Sequence, residues 1–382
     1  MTRVWRAAAA AAALVLAACG TTTSGHPATT HASEPTTSTT AASPTTPQSS
    51  AATPAPPSPR PTEDPAHALF DEMTLAQRVG QLFMVDCPST RIAAATVSAI
   101  QTYHVGAVIL DGTSYLSVAQ TAALTRQLES DNPSAAKLFV ATDQEGGLVQ
   151  RLRGAGFSSI PSATVQGTFS TATLRADATV WGAELRAAGV TVDLAPVLDT
   201  VPAGQGSNPP IGDLDRQYGS DPATVALHGV AVVQGLATAG VDATAKHFPG
   251  LGRVTGNTDT TSGVTDDVTT RHDAYLAPFA AAVAADAPFV MISTAIYARI
   301  DGTQPAAFSP TVITGMLRGD LGYRGVVISD DLGAAVQVSH YSLGARATAF
   351  IAAGGDMVLT VDASQAATMT AAVLARAASD QR

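Results

Sequence analysis

Positive charge is scarce in this sequence of 382 residues. Lys and Arg together number 21 against 31 Asp and Glu, which leaves a formal net charge of −10. Proteins that bind nucleic acid neutralise phosphates with clustered Lys and Arg, so the composition argues against a nucleic-acid partner. Charged residues make up only 14% of the chain and hydrophobic residues 46%, which is ample material for a large buried core.

Cysteine is also nearly absent, with Cys19 and Cys87 as the two examples. Cys19 ends an N-terminal apolar run that follows a short basic start and is too short to span a bilayer as a mature helix. Small residues before this Cys resemble the bacterial lipobox, in which a signal peptide (here 1–18) is removed and the Cys thiol is acylated. The alternative is an ordinary secretory signal with a chance Cys. Cys87 then has no partner, and we expect no intrachain disulfide.

A stretch dominated by Thr, Ser, Pro and Ala follows, so that residues 19–64 comprise the lipidated Cys19 and a linker. Such a composition offers too little apolar surface to offset the entropy of ordering, and it predicts a disordered stalk. A flexible chain of this length spans roughly 35–40 Å. We therefore expect an exported protein anchored through Cys19 to the outer face of the cytoplasmic membrane or to the cell wall.

From residue 65 to residue 382 the sequence alternates short apolar runs with Ala-rich segments typical of helices. Continuous apolar runs are typical of strands buried on both faces, and their alternation with helices indicates parallel βαβ units. The runs cover 80–87, 105–110, 137–143, 191–199, 241–247, 289–297, 325–331 and 356–361. Eight such units predict an α/β fold, a (β/α)₈ TIM barrel. An open doubly wound sheet is the alternative, but no strand is followed by a G-x-G-x-x-G turn.

Polar residues follow several of these runs, at the barrel face where active sites gather. They are Asp143, Asp199, Lys246 with His247, and Asp330 with Asp331. Polar groups are costly inside a barrel unless they are paired, so this regular placement predicts a functional site.

Four segments resemble the bacterial β-N-acetylglucosaminidases of glycoside hydrolase family 3. They are DQEGGLVQRL (143–152), APVLDT (195–200) with DRQYG (215–219), KHFPGLG (246–252) and GVVISDDL (325–332). The resemblance spans about residues 70 to 365 in the family's order. It implies a single catalytic TIM barrel over residues 65–382, without the C-terminal sandwich domain of many β-glucosidases of the family.

The resemblance implies that Asp330 is the nucleophile of a retaining glycosidase. Such an enzyme needs a carboxylate nucleophile and a nearby proton donor. Because successive residues of a strand point to opposite sides, only one of Asp330 and Asp331 can face the barrel mouth. Asp331 is expected to cap the following segment or to support Asp330, and Asp199 is expected to bond backbone near the site.

The resemblance also implies a set of sugar-binding residues. Asp143 is expected to accept hydrogen bonds from sugar hydroxyls, and cationic donors suit the same hydroxyls. The other matching positions are Arg151, Arg216, Lys246 and His247. No metal or organic cofactor is expected, since two protein groups supply the chemistry.

The general acid/base is where the sequence departs from the family. Relatives carry Asp-Ser-His in the loop after KHFPG, whereas the ungapped positions here hold Asn257, Thr258 and Asp259. Asp259 is therefore the candidate acid/base, which would require a raised pKa. A second interpretation assigns the proton to Asp266, Asp267 or His272 after loop closure. In a third, the domain chiefly binds sugar.

The implied function is an exo-acting, retaining β-N-acetylglucosaminidase that removes terminal N-acetylglucosamine from peptidoglycan fragments. Its partners would be the sugar substrate and, through Cys19, the membrane; we expect a monomer. The alternatives are a β-glucosidase of the same family and a non-catalytic sugar-binding lipoprotein.

Overall fold

Eight short parallel strands form the centre of the computed structural model, which describes residues 64–380. In chain order they are β1 (Phe83–Pro88), β2 (Ala107–Asp111), β3 (Phe139–Thr142), β4 (Val192–Asp193), β5 (Asp242–Phe248), β6 (Phe289–Ile292), β7 (Val326–Ser329) and β8 (Val358–Thr360). Each strand pairs in parallel with the next up to β7, and β1 pairs with β8. A parallel bridge from Ile328 to Met357 joins β7 to the start of β8. The predicted (β/α)₈ barrel is confirmed.

A helix follows each strand on the outside of the barrel. These helices are α1 (Ala94–Tyr103), α2 (Val118–Asp131), α3 (Thr171–Ala187), α4 (Pro222–Ala239), α5 (Ala277–Ala284), α6 (Thr311–Asp320), α7 (Leu343–Ala352) and α8 (Ala366–Ser379). Helix α6 is wound as a π-helix with i→i+5 bonds. Two helices, Pro65–Glu72 and Leu75–Gly80, precede the barrel.

Shorter elements lie in the connections between strands and helices. The minor strands are Gln144–Gly146 paired with Val149–Gln150, and Thr265–Asp266, Ile296–Tyr297 and Gly302–Pro305 in one small sheet. Short helices cover Ala163–Gln166 and Ala298–Asp301, and 3₁₀ turns cover Gly212–Leu214, Ala274–Leu276, Ala306–Phe308, Val336–Val338 and Ala363–Gln365.

Local sequence explains where the barrel helices begin and end. Before α2, the Ser117 hydroxyl accepts from the Gln120 amide at 3.3 Å, and the Gln120 side chain accepts from the Ser117 amide at 2.9 Å. This reciprocal capping box satisfies two amides that the first helical turn leaves free. Helix α4 begins at Pro222 after the Asp221 cap, and it ends before Gly240, whose φ of 74° suits glycine.

Alternation along the strands separates two hydrophobic cores. Met84 of β1 faces the barrel interior, whereas its neighbours Phe83 and Val85 face the helices. The interior is filled by Met84, Ala107, Ile109, Ala141, Val192, Leu194, Phe289, Met291, Ile328, Met357 and Leu359. The barrel is therefore packed rather than hollow, and a ligand would bind at its C-terminal mouth rather than inside it.

The fourth strand is shorter than the apolar run 191–199 predicted. Only Val192 and Asp193 belong to it, because Pro196 has no amide hydrogen to continue the ladder. Beyond it, contact with β5 consists of single bonds such as the one from the Leu198 amide to the Lys246 carbonyl (2.6 Å). This irregular segment delivers Asp199 to the barrel mouth.

Candidate active site

A cavity of about 390 Å³ opens at the C-terminal ends of the strands. Its lining includes the interior core residues Ile109, Leu194, Met291 and Leu359. The cavity is thus a pocket above the packed interior of the barrel. Every sugar-site and catalytic residue predicted from the sequence lines it: Asp143, Arg151, Arg216, Lys246, His247, Asp259 and Asp330.

Lys246 lies at the centre of a buried ion network, with only 2% of its side chain exposed. Its Nζ donates to Asp143 Oδ1 at 2.7 Å and lies 2.7 Å from Glu145 Oε1. Arg216 donates to the Glu145 carboxylate, from Nε to Oε2 at 2.8 Å and from Nη2 to Oε1 at 2.7 Å. Burial by itself would raise the pKa of Glu145, but Arg216 and Lys246 outweigh it and hold that pKa at about 2.

Glu145 is a site residue that the sequence prediction missed. It belongs to the DQEGG segment and stands two positions after Asp143. A period of two places side chains on the same side of an extended chain, and this spacing could have identified it. Because it is shared by Lys246 and Arg216, Glu145 fixes where both cations stand in the pocket.

Asp193, at the end of β4, is a second residue that was missed. Its side chain is buried, and Oδ1 accepts from the Gln144 amide at 3.0 Å. Burial raises its pKa to about 7 despite that bond and the nearby Lys246. The carboxyl group therefore supports the base of the DQEGG turn.

Asp199 holds His247 and the loop that follows β5. Its Oδ2 lies 2.6 Å from His247 Nδ1, and its Oδ1 accepts from the backbone amides of His247 (3.2 Å) and Leu251 (2.7 Å). This bond fixes the orientation of the imidazole ring and leaves Nε2 as the ring nitrogen free of Asp199. The loop packs closely here, since a Cβ on Gly252 would lie 1.9 Å from the Thr200 carbonyl oxygen.

Arg151 contacts two carboxylates without a hydrogen bond to either through Nε. Its Nε lies 3.6 Å from Asp111 Oδ1 and 3.9 Å from Asp143 Oδ2, and it has no hydrogen-bond partner among residues 64–380. The side chain is 32% exposed at the cavity wall. The side chain lines the cavity and places its positive charge beside Asp111 and Asp143.

The two aspartates after β7 have different environments. Asp331 accepts four backbone amides, from Gly333, Ala334, Ala335 and Val361, at 2.8 to 3.1 Å. Among residues 64–380, Asp330 accepts only the Asp331 amide, at 2.9 Å; both aspartates line the cavity. Burial raises the pKa of Asp330; the Asp259 charge adds to the increase, while His247 opposes it.

Asp259 lies in the long loop after β5, with its side chain at the cavity. The side chain of Asn257 accepts from the Asp259 amide at 2.9 Å and shapes a tight turn around it. Asp259 remains open to solvent, yet desolvation at the cavity raises its pKa, opposed chiefly by His247. Two carboxyl groups with raised pKa values in one cavity are candidates for acid–base catalysis.

Comparison with known proteins agrees with this architecture. The model of the glycosyl hydrolase family 3 N-terminal domain matches residues 74–379. The chain belongs to glycosyl hydrolase family 3. One relative, the β-hexosaminidase of Stenotrophomonas maltophilia strain K279a, is 35% identical over 286 residues, which cover 73% of this chain and 82% of the relative. The predicted family is confirmed, and the protein is a glycoside hydrolase.

Two solved structures are similar to this chain over most of its length. The β-N-acetylhexosaminidase from Beutenbergia cavernae DSM 12333 superposes with a TM-score of 0.79 at 52% identity, covering 81% of this chain and 94% of that one. A family 3 β-N-acetylglucosaminidase from Paenibacillus sp. FPU-7 superposes with a TM-score of 0.74 at 32% identity, covering 80% and 59%.

The other acid/base candidates of this family 3 domain do not line the cavity. Asp266 is buried and caps its own turn, accepting the Val268 and Thr269 amides at 2.7 and 2.8 Å. Asp267 and His272 are exposed to solvent away from the lining. Of the four candidates, Asp259 alone stands in the cavity with Asp330. Cys19 and the linker lie outside the described residues, and residues 64–380 contain no cluster of three or more metal-ligating side chains.

Proposed function

We propose that this family 3 glycoside hydrolase is an exo-acting, retaining β-N-acetylglucosaminidase with Asp330 as nucleophile and Asp259 as general acid/base. The observation that carries the proposal is the sharing of one cavity by two carboxyl groups that have no ion-pair partner within residues 64–380. The names of the relatives, β-hexosaminidase and β-N-acetylglucosaminidase, support the sugar specificity.

The reaction has two displacements. The Asp330 carboxylate attacks the anomeric carbon and forms a glycosyl ester, while Asp259 gives its proton to the departing glycosidic oxygen. Water then attacks the same carbon from the side of Asp259, which takes up the water proton as the ester bond to Asp330 breaks. Configuration at the anomeric carbon is retained, and both carboxyl groups return to their starting states.

The shape of the cavity supports exo action. Interior barrel residues close its floor, and the network around Lys246 and Glu145 lines one side. A pocket of about 390 Å³ that is closed at its floor suits one terminal sugar ring rather than the middle of a polymer. Lys246, Arg151 and the Nε2 of His247 would then contact hydroxyls of that ring.

Substrate specificity and the acid/base assignment are tested together. The parent should hydrolyse aryl N-acetylglucosaminide far faster than aryl glucoside; the reverse preference would indicate a β-glucosidase.

Asp259→Ala should slow hydrolysis of a natural disaccharide by about 10²-fold or more, and hydrolysis of an aryl substrate less, because a good leaving group needs little protonation. Parental rates on both substrates would exclude Asp259 as the acid. Absence of turnover in the parent would favour a sugar-binding protein.

The cellular setting is part of the proposal. Peptidoglycan fragments ending in N-acetylglucosamine are the proposed substrates, and the enzyme is proposed to act as a monomer held by a lipid on Cys19. Growth of the producing cells with an alkyne fatty acid should label the parent protein and leave Cys19→Ser unlabelled. Label retained in Cys19→Ser would contradict the anchor.

A further inference from the structure

The two proposed catalytic carboxyl groups stand on segments that are far apart in sequence. Asp259 belongs to the acid loop, defined here as residues 250–264, which follows β5. Asp330 is followed by the clamp segment, defined as residues 331–338. Because a retaining glycosidase requires its carboxyl groups about 5–5.5 Å apart, something must fix these segments relative to each other.

A set of hydrogen bonds joins the two segments directly. The Val336 amide donates to the carbonyl oxygen of Asp259 itself at 3.2 Å, and the Gln337 amide donates to the Thr258 carbonyl at 3.0 Å. The Gln337 side chain makes two more bonds with Val264: its Oε1 accepts from the Val264 amide at 2.9 Å, and its Nε2 donates to the Val264 carbonyl at 3.1 Å.

Gln337 is buried together with the two residues of the acid loop that it bonds. Only 1% of it is exposed, and the Thr258 and Val264 residues that it bonds are 2% and 4% exposed. A buried side-chain amide costs free energy unless it is hydrogen-bonded, and here both of its ends bond the same residue of the acid loop. Asp331 holds the start of the clamp segment through the amides of Gly333, Ala334 and Ala335.

We propose that Gln337 is a positioning residue that holds the acid loop against the clamp segment, so that Asp259 stands opposite Asp330 before substrate binds. This inference rests on the proposed roles of Asp259 and Asp330. Its physical reason is preorganisation: a displacement of about 1 Å in a catalytic group can cost about 10²-fold in rate.

The test compares Gln337→Leu, which keeps similar volume without the amide, on two substrates. A 2,4-dinitrophenyl N-acetylglucosaminide needs little protonation of its leaving group, whereas the disaccharide N,N′-diacetylchitobiose needs it fully. We expect kcat/KM to fall by about 10- to 100-fold on the disaccharide and by less than about threefold on the aryl substrate. Equal losses on both substrates, or no loss on either, would overturn the inference.

Two further variants show whether Gln337 acts through Asp259. In an Asp259→Ala background, Gln337→Leu should add no further loss on the disaccharide, because the group that it positions is already gone. Independent, multiplying losses would contradict the proposal. The matched control is Gln81→Leu, which removes a side-chain bond to the His104 carbonyl (2.9 Å) outside the cavity lining and should leave both rates at the parental value.

Gln337→Glu keeps the proposal testable if the leucine variant fails to fold. A neutral carboxylic acid can still accept from the Val264 amide and donate to its carbonyl, but an ionised one can only accept. We therefore compare kcat/KM on the disaccharide with kcat/KM on the aryl substrate. The ratio of these two values should approach the parental ratio at acidic pH and fall below it as pH rises. A ratio that stays at the parental value across the pH range would overturn the inference. Failure of the parent to hydrolyse either substrate would instead refute the proposed function.

Discussion

The carboxylates on two sides of one cavity differ in whether they form ion pairs. The paired wall is formed by Asp143, Arg216 and Lys246, together with the buried Glu145 that bonds both cations. Its ion pairs have distances of 2.7–2.8 Å. On the open wall, formed by Asp259 and Asp330, neither carboxylate has an ion pair within residues 64–380. Cations hold the pKa of Glu145 at about 2, whereas desolvation raises the pKa of Asp259 and of Asp330. Paired groups are fixed in one charge state and suit binding; unpaired groups can exchange protons and suit catalysis.

The largest expected effect comes from the open wall. Asp330→Asn should reduce kcat by at least about 10³-fold, because removal of a nucleophile abolishes the covalent route. The amide oxygen can still accept from the Asp331 amide, so the thermal midpoint should stay close to that of the parent. Steady-state kinetics with an aryl N-acetylglucosaminide measure the rate. A fall of less than tenfold would contradict the assignment.

On the paired wall the expected effect is a loss of stability as well as binding. Lys246→Met leaves Asp143 and Glu145 without their shared cation, and breaking a buried pair in this way costs about 3–5 kcal/mol. Urea unfolding measures the difference. Adding Asp143→Asn to this variant should recover part of the loss, because Asp143 loses the cation that hydrogen-bonds it, whereas Glu145 keeps Arg216. A loss below about 1 kcal/mol in the single variant would show that the wall is weakly coupled to the fold.

Asp193 gives a smaller effect that depends on pH. Its folded-state pKa of about 7 lies above the ordinary value of 3.8, so between these values the folded protein keeps a proton that the unfolded chain releases. This contribution to stability is complete below about pH 4 and is lost as pH rises toward 7. Asp193→Asn retains the acceptor for the Gln144 amide and should flatten this part of the curve. Urea unfolding at pH 5 and pH 8 measures how much the free energy of unfolding changes between the two pH values. If that change is the same in the variant and the parent, another group causes the pH dependence.

The smallest effect is expected outside the cavity. Arg271 and Asp320 form an ion pair at 2.7 Å, but both side chains are exposed, 43% and 33%. Exposed pairs contribute little, because solvent screens them and ordering two side chains has an entropic cost. Arg271→Ala should leave the thermal midpoint and kcat/KM within experimental error. A clear loss of activity would show that an exposed ion pair outside the cavity also affects catalysis, which the contrast between the two walls does not predict.

Much of this organisation could be predicted from the sequence, because it is local. Apolar runs predicted the barrel, and polar residues at their ends predicted Asp143, Lys246, His247 and Asp330. The family resemblance added Arg151, Arg216 and Asp259, and the fold brings all seven side chains to one cavity. What could not be predicted depends on distant contacts. Gln337 bonds Val264 across 73 positions and carries no local signal, and Asp193 reads as an ordinary strand residue until its burial is known. The roles of the seven residues stay predictions until they are tested by substitution.

The central claim is that Asp330 forms a covalent bond with the sugar, and labelling tests it most directly. A 2-fluoro analogue of the substrate with a good leaving group slows release of the glycosyl ester more than its formation, so the intermediate accumulates. Intact-protein mass spectrometry should show the addition of one sugar, and fragmentation of the labelled peptide should place it on Asp330. Turnover of substrate with the label on another residue, or with no label at all, would contradict the account.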